Sequence, residues 1–228
     1  MFEFLFIDLD DTILDFKKAE FVAVQKTLKA FGIEPTPQVC QRYSEINRLY
    51  WEALERKELT REQVLVGRFA MLFSEHNMQI DATQCARQYE ANLSVGHYFL
   101  PGAEEAVKSL SAKYKMYLAS NGTAKVQWSR LESAGIGKYF QDIFISQEIG
   151  ANKPSVAYFE SCFARIPGFD KSKAMIVGDS LSSDMLGGKN AGIATCWVNS
   201  GHKKCSPDIC PDYQIESLSE LEALLKTL

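Results

Sequence analysis

Hydrophobic positions along this chain change period in one place and then change back. Phe4 to Leu9 is a nearly unbroken apolar run, the pattern of a strand covered on both faces in a parallel sheet. From about residue 16 the spacing becomes helical. One helix is predicted over Lys17–Phe31, with Gly32 as its C′ residue. A second is predicted from Pro37 to about Lys57, with Thr36 as N-cap and proline in the first helical position. A third opens on Thr60 and Gln63, the spacing of a capping box. A fourth follows Asp81 and ends near Val95 or Gly96.

Beyond Pro101 short β-rich runs alternate with helices. The runs are 116–119, 143–145, 174–177, 195–198 and 213–215, and the helices lie near 103–110, 124–133, 155–165 and 183–190. Ser217 and Glu220 form a last predicted capping box before a terminal amphipathic helix. Such alternation predicts an α/β fold, a doubly wound parallel sheet. The stretch between Leu9 and Met116 far exceeds the dozen or so residues that a crossover needs. Residues 16–98 are therefore expected to form an inserted all-helical domain, and 1–15 with 99–228 the α/β core.

Composition narrows the class. The 228 residues are 46% hydrophobic and 24% charged, with a formal net charge of −4, which suits a globular fold and disfavours a nucleic-acid partner. The apolar start lacks a basic flank and runs straight into Asp8, so neither a leader nor a membrane segment is expected, and the expected location is cytoplasmic. Six scattered cysteines are expected to be reduced thiols. His202, Cys205 and Cys210 match no usual zinc spacing, and Pro207 and Pro211 mark that stretch as a surface loop.

Open parallel sheets bind ligands beyond the carboxyl ends of their strands. The segments that follow the predicted strands hold Asp8, Asp10 and Asp11; Ser120, Asn121 and Gly122; Lys153; and Asp179 and Asp184. One rim thus collects five carboxylates against one cation. Crowded carboxylates repel, and some take up protons unless a cation binds. Oxygen-only ligands that leave positions for phosphate suit Mg²⁺. Asp8 and Asp10, two apart at a strand end, can approach one reacting centre, one as nucleophile towards phosphorus and the other as proton donor. Ser120, the Asn121-Gly122 amides and Lys153 are placed to hold phosphoryl oxygens.

These motifs, Asp8-x-Asp10-x-Thr12, Ser120, Lys153-Pro154 and Gly178-Asp179-(x)₄-Asp184, in that order, resemble those of the haloacid-dehalogenase superfamily. The helical insertion resembles its C1 cap. The resemblance implies Asp8 as nucleophile forming an aspartyl-phosphate, and Asp10 as general acid and then base. It implies Mg²⁺ on Asp8, the Asp10 carbonyl and Asp179, with Asp184 supporting, and phosphoryl binding by Ser120 and Lys153. Dehalogenase members lack the second aspartate, so Asp10 points to phosphoryl chemistry. Residues 47–52, 59–61, 68–69 and 187–195 resemble the YjjG-type pyrimidine 5′-nucleotidases, which implies a small phosphorylated substrate of nucleotide type. A sugar-phosphate or phosphoglycolate phosphatase is the alternative within the superfamily, and a non-enzymatic phospho-acceptor switch is the alternative outside it.

Three insertion residues are candidates for selecting the substrate. Phe16 stands at its entrance. Trp51 lies about 110° from the centre of the apolar stripe Val39, Tyr43, Ile46, Tyr50, Ala53, Leu54; it either covers the site or packs on a neighbouring helix. Arg68, in an apolar helix, forms a salt bridge within the insertion or touches substrate. Asp11 is expected to serve the loop backbone. Asp184 is either a first-turn helix carboxylate or a supporting metal residue.

Overall fold

The computed structural model describes residues 1–205 and 208–228. Among them, strands β1 (Phe4–Ile7), β2 (Lys115–Ser120), β3 (Asp142–Ile145), β4 (Ala174–Gly178), β5 (Ala194–Val198) and β6 (Tyr213–Ile215) form one sheet. Its order is β3-β2-β1-β4-β5-β6, and every neighbouring pair is parallel. The order reverses at β1, so a crevice opens beyond the ends of β1 and β4, where such sheets bind ligands.

Alternation along the strands builds two cores. Leu5, Ile7, Met116, Leu118, Met175 and Val177 face one side, against Val107 and Leu110 of helix α5 (Ala103–Ser111), Leu131 of α6 (Ala124–Ala134) and Leu221 of α10 (Leu221–Leu225). Phe4, Phe6, Tyr117, Phe144 and Ile176 face the other, against Tyr158, Phe159 and Phe163 of α8 (Val156–Phe163). Coverage of both faces explains why β1 is apolar at every position.

The chain forms two compact units, residues 1–15 with 97–228, and residues 16–96. The second junction falls two residues before the expected boundary. Tyr98 belongs to the α/β unit because its carbonyl accepts from Asp15 N at 2.7 Å, and His97 Nδ1 lies 2.6 Å from Ser133 Oγ.

The helical unit contains α1 (Phe16–Ala30), α2 (Pro37–Glu55), α3 (Arg61–Glu75) and α4 (Ala82–Leu93). Thr36 and Asp81 cap α2 and α4 through their side chains, and both halves of the Thr60/Gln63 capping box are made. Rings of Tyr43, Phe69 and Tyr89 meet at 4.9–5.5 Å in its interior. The buried face of α2 differs from the expected stripe: Cys40 and Asn47, on the side of Trp51, are buried, whereas Val39 and Tyr50 are only partly so. A polar residue inside explains the shift. Asn47 donates to the buried Glu20 at 2.6 Å and accepts from Arg68 at 2.7 Å.

The Ser217/Glu220 capping box does not form. A tight turn over Leu218–Glu220 precedes α10, Glu220 accepts from Glu216 N at 3.1 Å, and Ser217 Oγ meets Ser219 Oγ at 2.6 Å. The one-turn helix α7 (Ser146–Ile149) has too little sequence to show a period and was not anticipated. In urea denaturation, Thr60→Ala is expected to cost about 1 kcal/mol, as for other lost N-caps. Ser217→Ala should cost less than about 0.5 kcal/mol, within the range of surface substitutions.

Candidate active site

Asp8 follows β1 directly, and its N–H donates to Val177 O at 2.9 Å, which carries the β1–β4 pairing one residue past Ile7. Its carboxylate therefore stands at the reversal of strand order. Lys153, buried in the loop after α7, donates from Nζ to Asp8 Oδ1, Asp184 Oδ1 and Ala119 O, each at 2.6 Å. All three ammonium protons are thus used. Asn121 places Lys153: its Oδ1 accepts from Lys153 N and its Nδ2 donates to Lys153 O, both at 2.9 Å. The Lys153–Pro154 peptide is cis. Besides the backbone amide expected to face phosphate, Asn121 has a side chain that clamps the lysine.

Asp184 reaches the cluster through an irregular turn. The helix expected from Ser183 is preceded by a wide π-type turn over Leu181–Met185, after which α9 (Leu186–Ala191) begins. Such turns recur at functional sites because they re-aim a side chain. Here the turn brings the buried Asp184 inwards, where Oδ2 accepts from Ser180 N at 3.2 Å. Gly178 makes room: a Cβ there would sit 2.2 Å from Asp184 Oδ2. Asp179 is fixed through its carbonyl, which accepts from Trp197 Nε1 at 2.8 Å.

Carboxylate oxygens of Asp8, Asp179 and Asp184 lie within 4.8 Å of one another, the one such group among the described residues that brings three possible metal ligands together. Lys153 offsets one of three charges. Burial, assisted by the charges of Asp184, Asp179 and Asp10, pushes the Asp8 carboxyl well above the ordinary carboxylate range, against the opposing pull of Lys153. Burial also works against charge on Lys153, but Asp184 and Asp8 outweigh it and hold the ammonium protonated. The donor set is all oxygen and carries excess negative charge, so it fits a hard divalent cation.

Asp10 has a different set of partners. Its Oδ2 accepts from Gln127 Nε2 at 2.6 Å, and its Oδ1 pairs with Arg130 Nη1. The same Gln127 nitrogen donates to Ser120 Oγ at 2.8 Å, and Gly122 N donates to that oxygen at 3.1 Å. Sequence reasoning missed Gln127 and Arg130. The available signal was two polar residues on the buried face of α6, beside Val126 and Leu131. Asp11 adopts a left-handed φ of 56°, and its N–H donates to Leu14 O at 2.8 Å, so its backbone forms the turn after β1. Thr12 is buried, its hydroxyl without a partner among the described residues.

Phe16, Trp51 and Arg68 all belong to the helical unit. Phe16 opens α1, partly buried. Trp51 is also partly buried, with the Arg61 guanidinium 5.4 Å from its ring centroid. Arg68 is buried, bonded to Asn47 and 4.7 Å from the Tyr89 ring centroid. The expected salt bridge is therefore a relay through Asn47 to Glu20, which spares the interior a direct ion pair. On the surface, Cys205 and Cys210 come within 3.8 Å of each other, and Pro207 lies outside the described residues. No helix among the described residues is long and apolar enough to cross a membrane.

A doubly wound parallel sheet with an acidic, lysine-bearing centre at its strand reversal defines an α/β enzyme of the hydrolase type. The chain belongs to the haloacid dehalogenase-like hydrolases, whose family pattern matches residues 5–198. It is 37% identical to the HAD-hydrolase YfnB of Bacillus subtilis (strain 168), covering 97% of this chain and 94% of that protein. A crystal structure of YfnB bound to magnesium superposes with a TM-score of 0.94 at 36% identity, covering 98% of each chain. The pyrimidine 5′-nucleotidase PynA of Streptococcus pneumoniae (strain ATCC BAA-255 / R6) is 35% identical, covering 96% of this chain and 93% of its own. The pyrimidine 5′-nucleotidase YjjG of Escherichia coli (strain K12) is 30% identical, covering 98% and 97%.

Lys153→Met leaves Asp8 and Asp184 buried without their cation. It is expected to destabilise the fold by about 3–5 kcal/mol in urea denaturation near neutral pH, as for other broken buried pairs. The loss should shrink as the pH falls, because the buried Asp8 carboxyl, already raised by burial and no longer opposed by the lysine, takes up a proton in the native state.

Proposed function

We propose that this enzyme hydrolyses phosphomonoesters with a bound divalent cation, through an aspartyl-phosphate on Asp8, and that its preferred substrates are nucleoside 5′-monophosphates, pyrimidine ones among them. The observation that carries the reading is the cluster of Asp8, Asp179 and Asp184 around a single lysine. This centre needs a further positive charge, which a divalent cation supplies, and the cation in turn lets a phosphoryl dianion approach the carboxylates. The similarity of nearly the whole chain to PynA and YjjG supports the nucleotide class.

The Asp8 and Asp179 carboxylates and the Asp10 carbonyl would hold Mg²⁺, supported by Asp184. There the ion supplies charge neutralisation to the phosphoryl oxygens. Asp8 attacks phosphorus as the ester P–O bond breaks, and Asp10 gives its proton to the leaving oxygen. Asp10 then takes a proton from water, which attacks the acyl phosphate; the P–O bond to Asp8 breaks, inorganic phosphate leaves and Asp8 is regenerated. The Ser120 hydroxyl binds an equatorial phosphoryl oxygen; Lys153 binds another by exchanging one of its present acceptors for it, and its charge reduces repulsion between that dianion and Asp8.

Phosphoryl contacts do not distinguish leaving groups, so we assign selectivity to the helical unit acting as a cap. Trp51 is the stacking candidate for a base, with Phe16 as a second aromatic surface. Arg68 shapes the unit through Asn47 and the Tyr89 ring.

Three outcomes are expected. In kcat/KM over a phosphomonoester panel, pyrimidine nucleoside monophosphates rank among the best substrates; sugar phosphates or phosphoglycolate preferred by more than about tenfold, some 1.4 kcal/mol, would refute the nucleotide reading. Trp51→Ala lowers kcat/KM for nucleotides more than for p-nitrophenyl phosphate, whereas equal losses make it a packing residue. A chelator abolishes turnover and Mg²⁺ restores it. Because burial raises the Asp8 carboxyl and a proton there competes with the cation, the rise in Tm on adding Mg²⁺ should be larger at pH 8 than at pH 5.5.

A further inference from the structure

We propose that Gln127 and Arg130 are positioning residues for hydrolysis, a clamp that uses one amide to aim both the Asp10 carboxylate and the Ser120 hydroxyl. The proposal rests on the roles given above to Asp10 and Ser120. Both clamp residues come from α6, three apart, and are almost fully buried, Gln127 at 1% and Arg130 at 0% exposure. Burying a guanidinium and an amide is costly unless every strong contact is repaid by a partner. The Asp10 carboxylate is a partner of both, and the Ser120 hydroxyl is a second partner of Gln127.

Hydrogen-bond roles in the clamp are fixed by chemistry. Arg130 is donor only, and its Nη1 donates to Gln127 Oε1 at 2.9 Å as well as to Asp10. That sets the orientation of the Gln127 amide: its oxygen faces Arg130 and its nitrogen faces two acceptors. The two Nε2 protons go to Asp10 Oδ2 at 2.6 Å and Ser120 Oγ at 2.8 Å. The reversed amide would set oxygen against a carboxylate and NH₂ against a guanidinium.

Ser120 then has little choice. A hydroxyl has one proton and two acceptor positions. Gln127 Nε2 and Gly122 N occupy both acceptor positions. The hydroxyl proton is left to be given away, which makes Ser120 a preorganised donor to a phosphoryl oxygen. Gly122 admits the clamp at close range, since a Cβ there would lie 2.3 Å from Gln127 Nε2. Asp10 is held at both carboxylate oxygens, yet its side chain keeps 27% of its surface exposed.

The test is leaving-group dependence. A misplaced general acid harms substrates with a poor leaving group most, because a phenolate such as p-nitrophenolate departs with little protonation. Gln127→Met keeps size and removes both donors. With wild type as reference, kcat is expected to fall about 10²-fold or more for a nucleoside monophosphate, the usual range for lost acid catalysis, and at least tenfold less for p-nitrophenyl phosphate. In an Asp10→Asn background the added Gln127→Met should no longer discriminate between the substrates. Arg130→Lys, which keeps the charge, should show the same substrate-dependent loss in milder form. Equal losses for both substrates, or discrimination that persists in the Asp10→Asn background, would overturn the proposal. If Gln127→Met does not fold, the Arg130→Lys ratio decides alone. Wild-type enzyme inert towards both esters would refute the proposed function instead, before any variant is compared.

Discussion

One buried ammonium organises this site. Lys153 has no solvent to fall back on, so its three protons must find acceptors, and they find Asp8, Asp184 and the Ala119 carbonyl. Satisfying them requires three chain segments to meet beyond the sheet: the end of β1, the end of β2 and the turn that carries Asp184. Parallel order with a reversal at β1 is what brings those ends side by side. The small local features follow from the same need. Asn121 clamps the lysine backbone, the wide turn over Leu181–Met185 swings Asp184 inwards, and Gly178 leaves its carboxylate space.

The arrangement separates two jobs between two polar systems. Asp8 and Asp184 share Lys153, and together with Asp179 they carry surplus negative charge that suits a divalent cation. Asp10, two residues away in sequence, is bound by Arg130 and Gln127. Neighbouring carboxylates in one loop thereby have unlike environments, a general means of giving chemically identical groups different tasks. In the interior of the helical unit Asn47 likewise links two charged groups, accepting from Arg68 and donating to Glu20.

Much of this was legible in the sequence, for reasons that differ by level. β1 could be read because a strand covered on both faces is apolar throughout. The caps at Thr36, Thr60 and Asp81 could be read because capping is local chemistry. That Asp8, Lys153, Asp179 and Asp184 would meet could be expected because parallel topology puts the ends of strands together. Other features depend on contacts distant in sequence. The orientation of α2 was misjudged because Asn47, polar by type, is drawn inside by Glu20 and Arg68. Gln127 and Arg130 escaped notice because nothing local says which carboxylate, more than a hundred residues earlier, they will hold. Ser217 failed as a cap because the first turn there is tighter than an α-helix.

The central claim is that Asp8 is the nucleophile, and covalent trapping tests it most directly. Enzyme turning over a nucleoside monophosphate with Mg²⁺ is quenched, treated with borohydride and mapped by mass spectrometry. An aspartyl-phosphate is reduced to homoserine, so homoserine is expected at position 8 only, and none without substrate or in Asp8→Asn. Full turnover with unmodified Asp8, or homoserine at position 10, would contradict it.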